Sequence, residues 1–239
     1  MEEKKYSIVH VIDTLEAGGA EKVLVTLCNI FFAMGHKVAV VTTLDKGPLA
    51  AQLSAGIELK ELKRKSKWNL GNMQKLVAWC RPYDVVHVHS SHNLRYLFLA
   101  SKIFGLKKRI FFHEHFGNID IDDSVGWHQK IVYPFVNLIA VSNSLYHWAL
   151  HKAKLNPKHV FLLPNTVPKL HVEQKFIGSN SIKKLVLVSN FRPAKNIFFA
   201  IELMEVLVKK MQVQLTIIGQ KNDVAYHQSI KEKITASGF

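Results

Sequence analysis

Leu185-Val186-Leu187-Val188-Ser189-Asn190-Phe191-Arg192-Pro193-Ala194-Lys195 joins an apolar run to a polar turn that carries two cations, and a helical pattern opens immediately after it at Asn196. The order is strand, short turn, helix start. The first N–H groups of a helix have no intrahelical partner and its dipole is positive there, so such a turn favours anions. Arg192 and Lys195 beside it suit a diphosphate better than a single carboxylate. Taken alone, two cations in a turn are an ordinary solvated pair, so their meaning depends on the rest of the chain.

Downstream of this stretch the pattern repeats. A strand over Lys184–Val188, a helix over Asn196–Lys210, a strand over Val213–Ile218 and a helix near Val224–Ala236 are expected. Two strands and two helices are too few to cover both faces of a parallel sheet. Residues 183–239 are therefore expected to be the beginning of an incomplete second domain, the alternative being that they extend the first sheet. Upstream, Pro164–Ile182 interrupts the rhythm with prolines at 164 and 168 and the run Gly178-Ser179-Asn180-Ser181. This reads as an interdomain connection at 166–182. Residues 1–165 form the other expected domain. Strands are predicted at Tyr6–Ile12, His36–Thr43, Ile57–Leu62, Asp84–Val88, Arg109–Phe112, Leu138–Val141 and His159–Leu163. Helical patterns lie between them: from Ala20, over Asn72–Cys80, Leu94–Phe104 and Val125–Val132, and after a cap at Ser142. Repeated strand–helix order of this kind is a doubly wound, parallel α/β sheet.

The 239 residues are 48% hydrophobic and 21% charged, a globular composition. A formal charge of +14 points to an anionic partner without choosing among phosphates, nucleic acid and an acidic membrane face. Cys28 and Cys80 both sit in apolar patterns, which suits two buried thiols rather than a disulfide framework. The start, Met1-Glu2-Glu3-Lys4-Lys5-Tyr6, is no signal peptide, and Ile131–Leu150 is too interrupted to span a membrane. A cytoplasmic protein is expected. The basic run Leu59–Trp68 could touch an acidic inner membrane face, although a solvated loop is the commoner outcome for such a run.

Three further groups carry chemistry. Gly18-Gly19 falls at the first strand-to-helix turn, where open α/β sheets bind ligands and where glycine lets backbone approach a phosphate. The spacing matches neither the dinucleotide fingerprint nor a Walker loop. His87-Val88-His89 and His113-Glu114-His115 each end a predicted strand, with both histidines of a pair on one face. Two such histidines could ligate a metal, but no third ligand stands at a firm spacing. Hydrogen bonding to a sugar or phosphate is the better reading for His113 and His115, and a structural role is at least as good for His87 and His89. Pro164-Asn165-Thr166-Val167 is a turn in which Asn can take a left-handed conformation.

In order along the chain, Gly-Gly-Ala-Glu at 18–21, His-Val-His-Ser-Ser at 87–91, Phe-His-Glu-His at 112–115, Val-Ser-Asn-Ser at 141–144, Pro-Asn-Thr-Val at 164–167 and Val-Ser-Asn-Phe-Arg-Pro-Ala-Lys-Asn at 188–196 resemble the motifs of family 4 glycosyltransferases. The resemblance implies the GT-B architecture, two Rossmann-like domains facing across a cleft. It implies that Gly18 and Gly19 face the donor diphosphate and the acceptor, that Arg192 and Lys195 neutralise the departing nucleotide diphosphate, and that His115 contacts the transferred sugar, with His113 as the neighbouring candidate. Glu21, Ser142, Asn165 and Asn190 join them as donor- or acceptor-binding candidates. It further implies a nucleotide-sugar donor, a glycan or lipid-linked acceptor, cell-surface polysaccharide synthesis, retention of anomeric configuration and no metal cofactor. One feature departs from the family: no two glutamates lie eight residues apart, so the pair that ordinarily holds the nucleotide ribose is missing from these 239 residues. The chain alone is accordingly expected to be weakly active or inactive, the alternative being a non-catalytic nucleotide-sugar or glycan-binding module, or a subunit of a split transferase. Nucleic-acid binding is disfavoured because the basic residues are scattered.

Overall fold

The computed structural model describes residues 4–115, 119, 122–167, 182–221 and 223–238. The chain divides into two units, Met1–Leu170 and His171–Phe239. The expected connection at 166–182 lies almost wholly outside the described residues.

The first unit is built on a seven-stranded sheet in which every neighbouring pair is parallel. Its strands are β1 (Ser7–Ile12), β2 (Lys37–Thr42), β3 (Glu58–Glu61), β4 (Val85–His89), β5 (Arg109–Glu114), β6 (Asn137–Ala140) and β7 (Val160–Leu162), in the spatial order β3-β2-β1-β4-β5-β6-β7. The helices are α1 (Gly19–Ala33), α2 (Leu70–Cys80), α3 (Ser91–Phe104), α4 (Trp127–Val132) and α5 (Asn143–His151). The chain moves one way across the sheet from β1 and the other way from β4. The carboxyl ends of these two adjacent strands therefore flank the crevice where an open α/β sheet binds its ligand.

Strand alternation divides the core. Val9, Val11, Val86, Val88, Phe112 and Leu138 face one side and pack with apolar residues of α2, α3 and α5. Ile12, Val38 and Val40 face the other and pack with Leu24, Val25 and Cys28 of α1. Cys28 and Cys80 are free and buried in separate clusters, and burial pushes the Cys80 thiol up to about 12.

Two helices begin earlier than their apolar spacing predicts, because their caps outweigh the spacing. Asn69 Oδ1 accepts the Asn72 N–H at 2.9 Å and starts α2 at Leu70. Ser90 caps α3, so that helix starts at Ser91.

The second unit holds β8 (Lys183–Val188), α6 (Ile197–Leu207), β9 (Val213–Ile218) and α7 (Val224–Ala236). Its two strands form a separate parallel sheet, which sets aside the alternative that they extend the first one. Phe191, Ile197, Ile201 and Ile230 are its buried centre. On the opposite face of its sheet, Val186 is 62% and Val188 76% exposed.

Candidate functional site

The carboxyl edge of the first sheet carries a cluster of five histidines. In the strand register His10 lies beside His87, and His89 beside His113. His115 follows β5. Neighbouring rings have centroids 4.4–5.5 Å apart. A row of nitrogen contacts runs through them: His10 Nδ1 to His89 Nε2 at 3.2 Å, and His89 Nδ1 to His115 Nε2 at 3.2 Å. Burial, reinforced by the neighbouring rings, lowers the imidazolium pKa of His10 to about 3 and of His113 to about 2. The same two causes hold His87 and His89 well below the usual histidine range, and burial alone takes His115 to about 4. All five are held neutral near pH 7, so His115 offers a hydrogen-bonding imidazole and not a cation.

His10 is the member that the motifs do not reveal. It is a single polar residue inside the apolar run of β1, and only the pairing of β1 with β4 brings it beside His87. Its ring stacks on Phe31 of α1 with centroids 6.0 Å apart.

Gly18 is the cap residue of α1 and has an ordinary extended backbone, so no unusual φ requires glycine there. The space beside it is taken by the Glu21 carboxylate, which a Cβ at Gly18 would displace. Nothing lies within 4 Å of a Cβ placed at Gly19. Of the two glycines, Gly19 borders open space and Gly18 borders an acid of the helix's own first turn.

Across the crevice, Thr43 donates to Asp13 Oδ1 at 2.8 Å and Arg64 Nη2 stands 3.6 Å from the same oxygen. Arg64 also lies over the Tyr96 ring at 4.7 Å. This arginine belongs to the basic run 59–68 but turns inward, whereas Trp68 in the same run is 70% exposed. Ser90 has φ +70°, a region that side-chain-bearing residues seldom adopt. Buried Asn93 holds that turn by donating to the His89 carbonyl and to Ser90 Oγ, both at 3.1 Å.

Ser142 follows β6 and accepts the Leu145 N–H at 3.2 Å, which is a helix-capping role. Asn165 follows β7 and is exposed. On the far face of β5 from the histidines, Tyr133 donates to Glu114 Oε2 at 2.8 Å. Glu114 borders a cavity of about 250 Å³, shared with Ser91, Asp122, Ser124 and His128.

In the second unit the loop after β8 runs against the end of β9. Ser189 N–H bonds to the Ile218 carbonyl at 2.8 Å, Phe191 N–H to the Gln220 carbonyl at 2.9 Å, and Gln220 N–H to Asn190 Oδ1 at 3.2 Å. Asn190 is therefore a loop clamp. Pro193–Lys195 forms one tight turn, and Asn196 enters α6 in the left-handed region at φ +45°, which Asn tolerates. The Ile197 N–H is taken by the Tyr226 hydroxyl at 3.1 Å. Arg192 and Lys195 are exposed and make no ion pair among the described residues.

A cavity of about 770 Å³ lined by Lys4, Lys5, Lys102, Lys107, Lys108 and Arg109 lies at the opposite edge of the first sheet, where β1, β4 and β5 begin. It is remote from the crevice. Among the described residues no helix is long and apolar enough to cross a membrane.

Comparison with known proteins gives this geometry a family. No curated protein matches the chain. Among solved structures, a glycosyltransferase from Rickettsia africae ESF-5 superposes with a TM-score of 0.73 at 16% identity, over 98% of this chain and 66% of that one. Anabaena Alr3699/HepE in complex with UDP and glucose gives the same values. TarM gives 0.71 at 12% identity, over 96% of this chain and 75% of TarM. These likenesses show the GT-B, Rossmann-like fold, and the chain spans about two thirds of the length of the first two. The model of the family described as Glycosyltransferase Family 4 matches residues 17–169. On that match, which covers β2 to β7 and four of the five histidines, the chain belongs to the family 4 glycosyltransferases.

Proposed function

We propose that this chain forms the acceptor-side domain and the opening of the donor-side domain of a retaining glycosyltransferase. The reaction would transfer a sugar from a nucleotide-sugar to a glycan or lipid-linked acceptor in cell-surface polysaccharide synthesis. The observation that carries the reading is the exposed Arg192–Lys195 turn leading into α6, without an ion pair among the described residues, in a chain whose other unit matches the family model. HepE, crystallised with UDP and glucose, supports a uridine nucleotide as the donor class to test first.

In the proposed reaction the acceptor hydroxyl attacks the anomeric carbon on the face from which the diphosphate leaves. The C–O bond to the diphosphate breaks, and a diphosphate oxygen takes the hydroxyl proton. Negative charge grows on the leaving group, and Arg192 and Lys195 stabilise it. Fixed cations can supply this without a metal ion at the diphosphate. His115 is held by its contact to His89 and presents a neutral imidazole to the sugar hydroxyls. Gly19 leaves room for the ligand at the start of α1. The cavity beside Glu114 is the candidate acceptor subsite. The basic run 59–68 and the cations elsewhere on the surface fit peripheral contact with an acidic membrane at the cytoplasmic face.

Calorimetric titration with UDP-, GDP- and ADP-sugars tests the donor assignment. One nucleotide class should bind, and Arg192→Ala/Lys195→Ala should weaken it at least tenfold, since each charge-assisted contact is worth about 1.5–3 kcal/mol. Equal affinity in the double variant would remove the diphosphate from this turn.

A further inference from the structure

We infer that His10, His87 and His89 form a binding site for a divalent transition metal of the zinc type, at the junction of β1 and β4. This goes beyond the sugar-transfer reading and does not depend on it, because the three residues include neither His115 nor the cations of the second unit. One ligand nitrogen from each of the three can be chosen so that all lie within 4.8 Å of one another. The scaffold is rigid. His10 and His87 are direct partners in the parallel register, and His89 stands two residues along on the same face.

Two observations point to a ligand at this place. First, His87 Nε2 is buried and has no hydrogen-bond partner among the described residues. An orphaned buried polar atom costs about 1–3 kcal/mol, so its retention calls for a reason. Second, the spacing suits shared coordination. Two imidazole nitrogens bound to one tetrahedral zinc ion at ~2.0–2.1 Å sit roughly 3.3 Å apart, and His10 Nδ1 and His89 Nε2 are 3.2 Å apart.

The donor set selects the ion. Three imidazoles with no carboxylate and no thiolate suit zinc, nickel or copper, and offer nothing to magnesium or calcium, which take oxygen. Three protein ligands leave a fourth position for water. The nearby group His89, His113 and His115 could be chosen in the same way. It is the weaker site, because His115 follows the strand and is only partly buried. An exposed competitor also exists: His147 and His151 stack one turn apart on α5, with ring centroids 5.9 Å from each other.

The test is calorimetric titration of the chelator-stripped full chain with ZnCl2 at pH 7.5, with MgCl2 as control. One zinc ion per chain should bind and magnesium should not. His10→Gln and His87→Gln should each weaken zinc binding at least 30-fold, while His147→Ala should leave it within threefold. The ring resonances of His10, His87 and His89 in the unmutated chain give a measurement that needs no variant. They should shift on zinc addition, and those of His147 and His151 should not. Four results would each overturn the site: no saturable zinc binding, unchanged affinity in His10→Gln, loss in His147→Ala alone, or shifts confined to His147 and His151.

Discussion

Acidification of the metal-free chain from pH 7.5 to 5 is expected to unfold the seven-stranded unit. The cause is the histidine cluster. Unfolded, each imidazole takes a proton near pH 6.5; folded, His10, His113 and His115 resist protonation down to about 3, 2 and 4. Between pH 6.5 and 4 the unfolded chain thus binds more protons than the folded one, and stability falls as pH falls. Stability is complete above pH 6.5. Below it, each of these histidines removes about 1.4 kcal/mol per pH unit, so the three together remove about 4 kcal/mol per pH unit. His87 and His89 act in the same direction. A domain holds about 5–15 kcal/mol in all, so the transition should fall near pH 5. Urea unfolding followed by circular dichroism at pH 7.5, 6 and 5 measures the slope. His113 offers a diagnostic variant, since both of its ring nitrogens are buried without a partner among the described residues. His113→Phe should retain stability at pH 7.5 and flatten the acid slope. A chain equally stable at pH 7.5 and 5 would contradict the burial of these rings.

Gly219→Ala is expected to cost the second unit at least about 2 kcal/mol, within the range for overpacking. A Cβ on Gly219 would stand 1.9 Å from the Ser189 carbonyl oxygen and 2.5 Å from its carbon. These are backbone atoms, so no side-chain rotation relieves the clash. The loop must move instead, and that loop leads directly to Arg192. The variant should therefore also weaken nucleotide binding, although Gly219 itself carries no charge. Limited proteolysis of the second unit reports the first effect and titration with the nucleotide-sugar reports the second. Wild-type resistance to protease in Gly219→Ala would show that the loop has another way to accommodate the methyl group.

The parallel sheet was legible because its evidence is local. Apolar runs such as Ser7–Ile12 and Lys37–Thr42, separated by a helical period, prescribe strand, helix, strand wherever they occur. What depends on non-local pairing was not legible. The cluster is an instance: His87, His89, His113 and His115 stand in visible pairs, but His10 joins them only through the register of β1 against β4. The same holds for Arg64, whose place in a basic run suggests solvent and whose side chain lies against Tyr96 and Asp13. Gly18 and Gly19 illustrate a different limit. The pair reads as one phosphate-type turn, yet the Glu21 carboxylate fills the space at the first glycine and leaves the second open. Side-chain direction decided that difference, and residue spacing does not encode it.

Backbone amide shifts of the labelled chain, recorded during addition of UDP at about 150 mM salt, locate the diphosphate directly. The largest shifts are expected at Ser189–Lys195 and the start of α6, saturating together. With a charge of +14 the chain will attract any phosphate weakly, so location matters more than binding. Shifts confined to Lys4, Lys5, Lys102, Lys107 and Lys108, around the basic cavity at the far edge of the sheet, would remove the diphosphate from the Arg192–Lys195 turn.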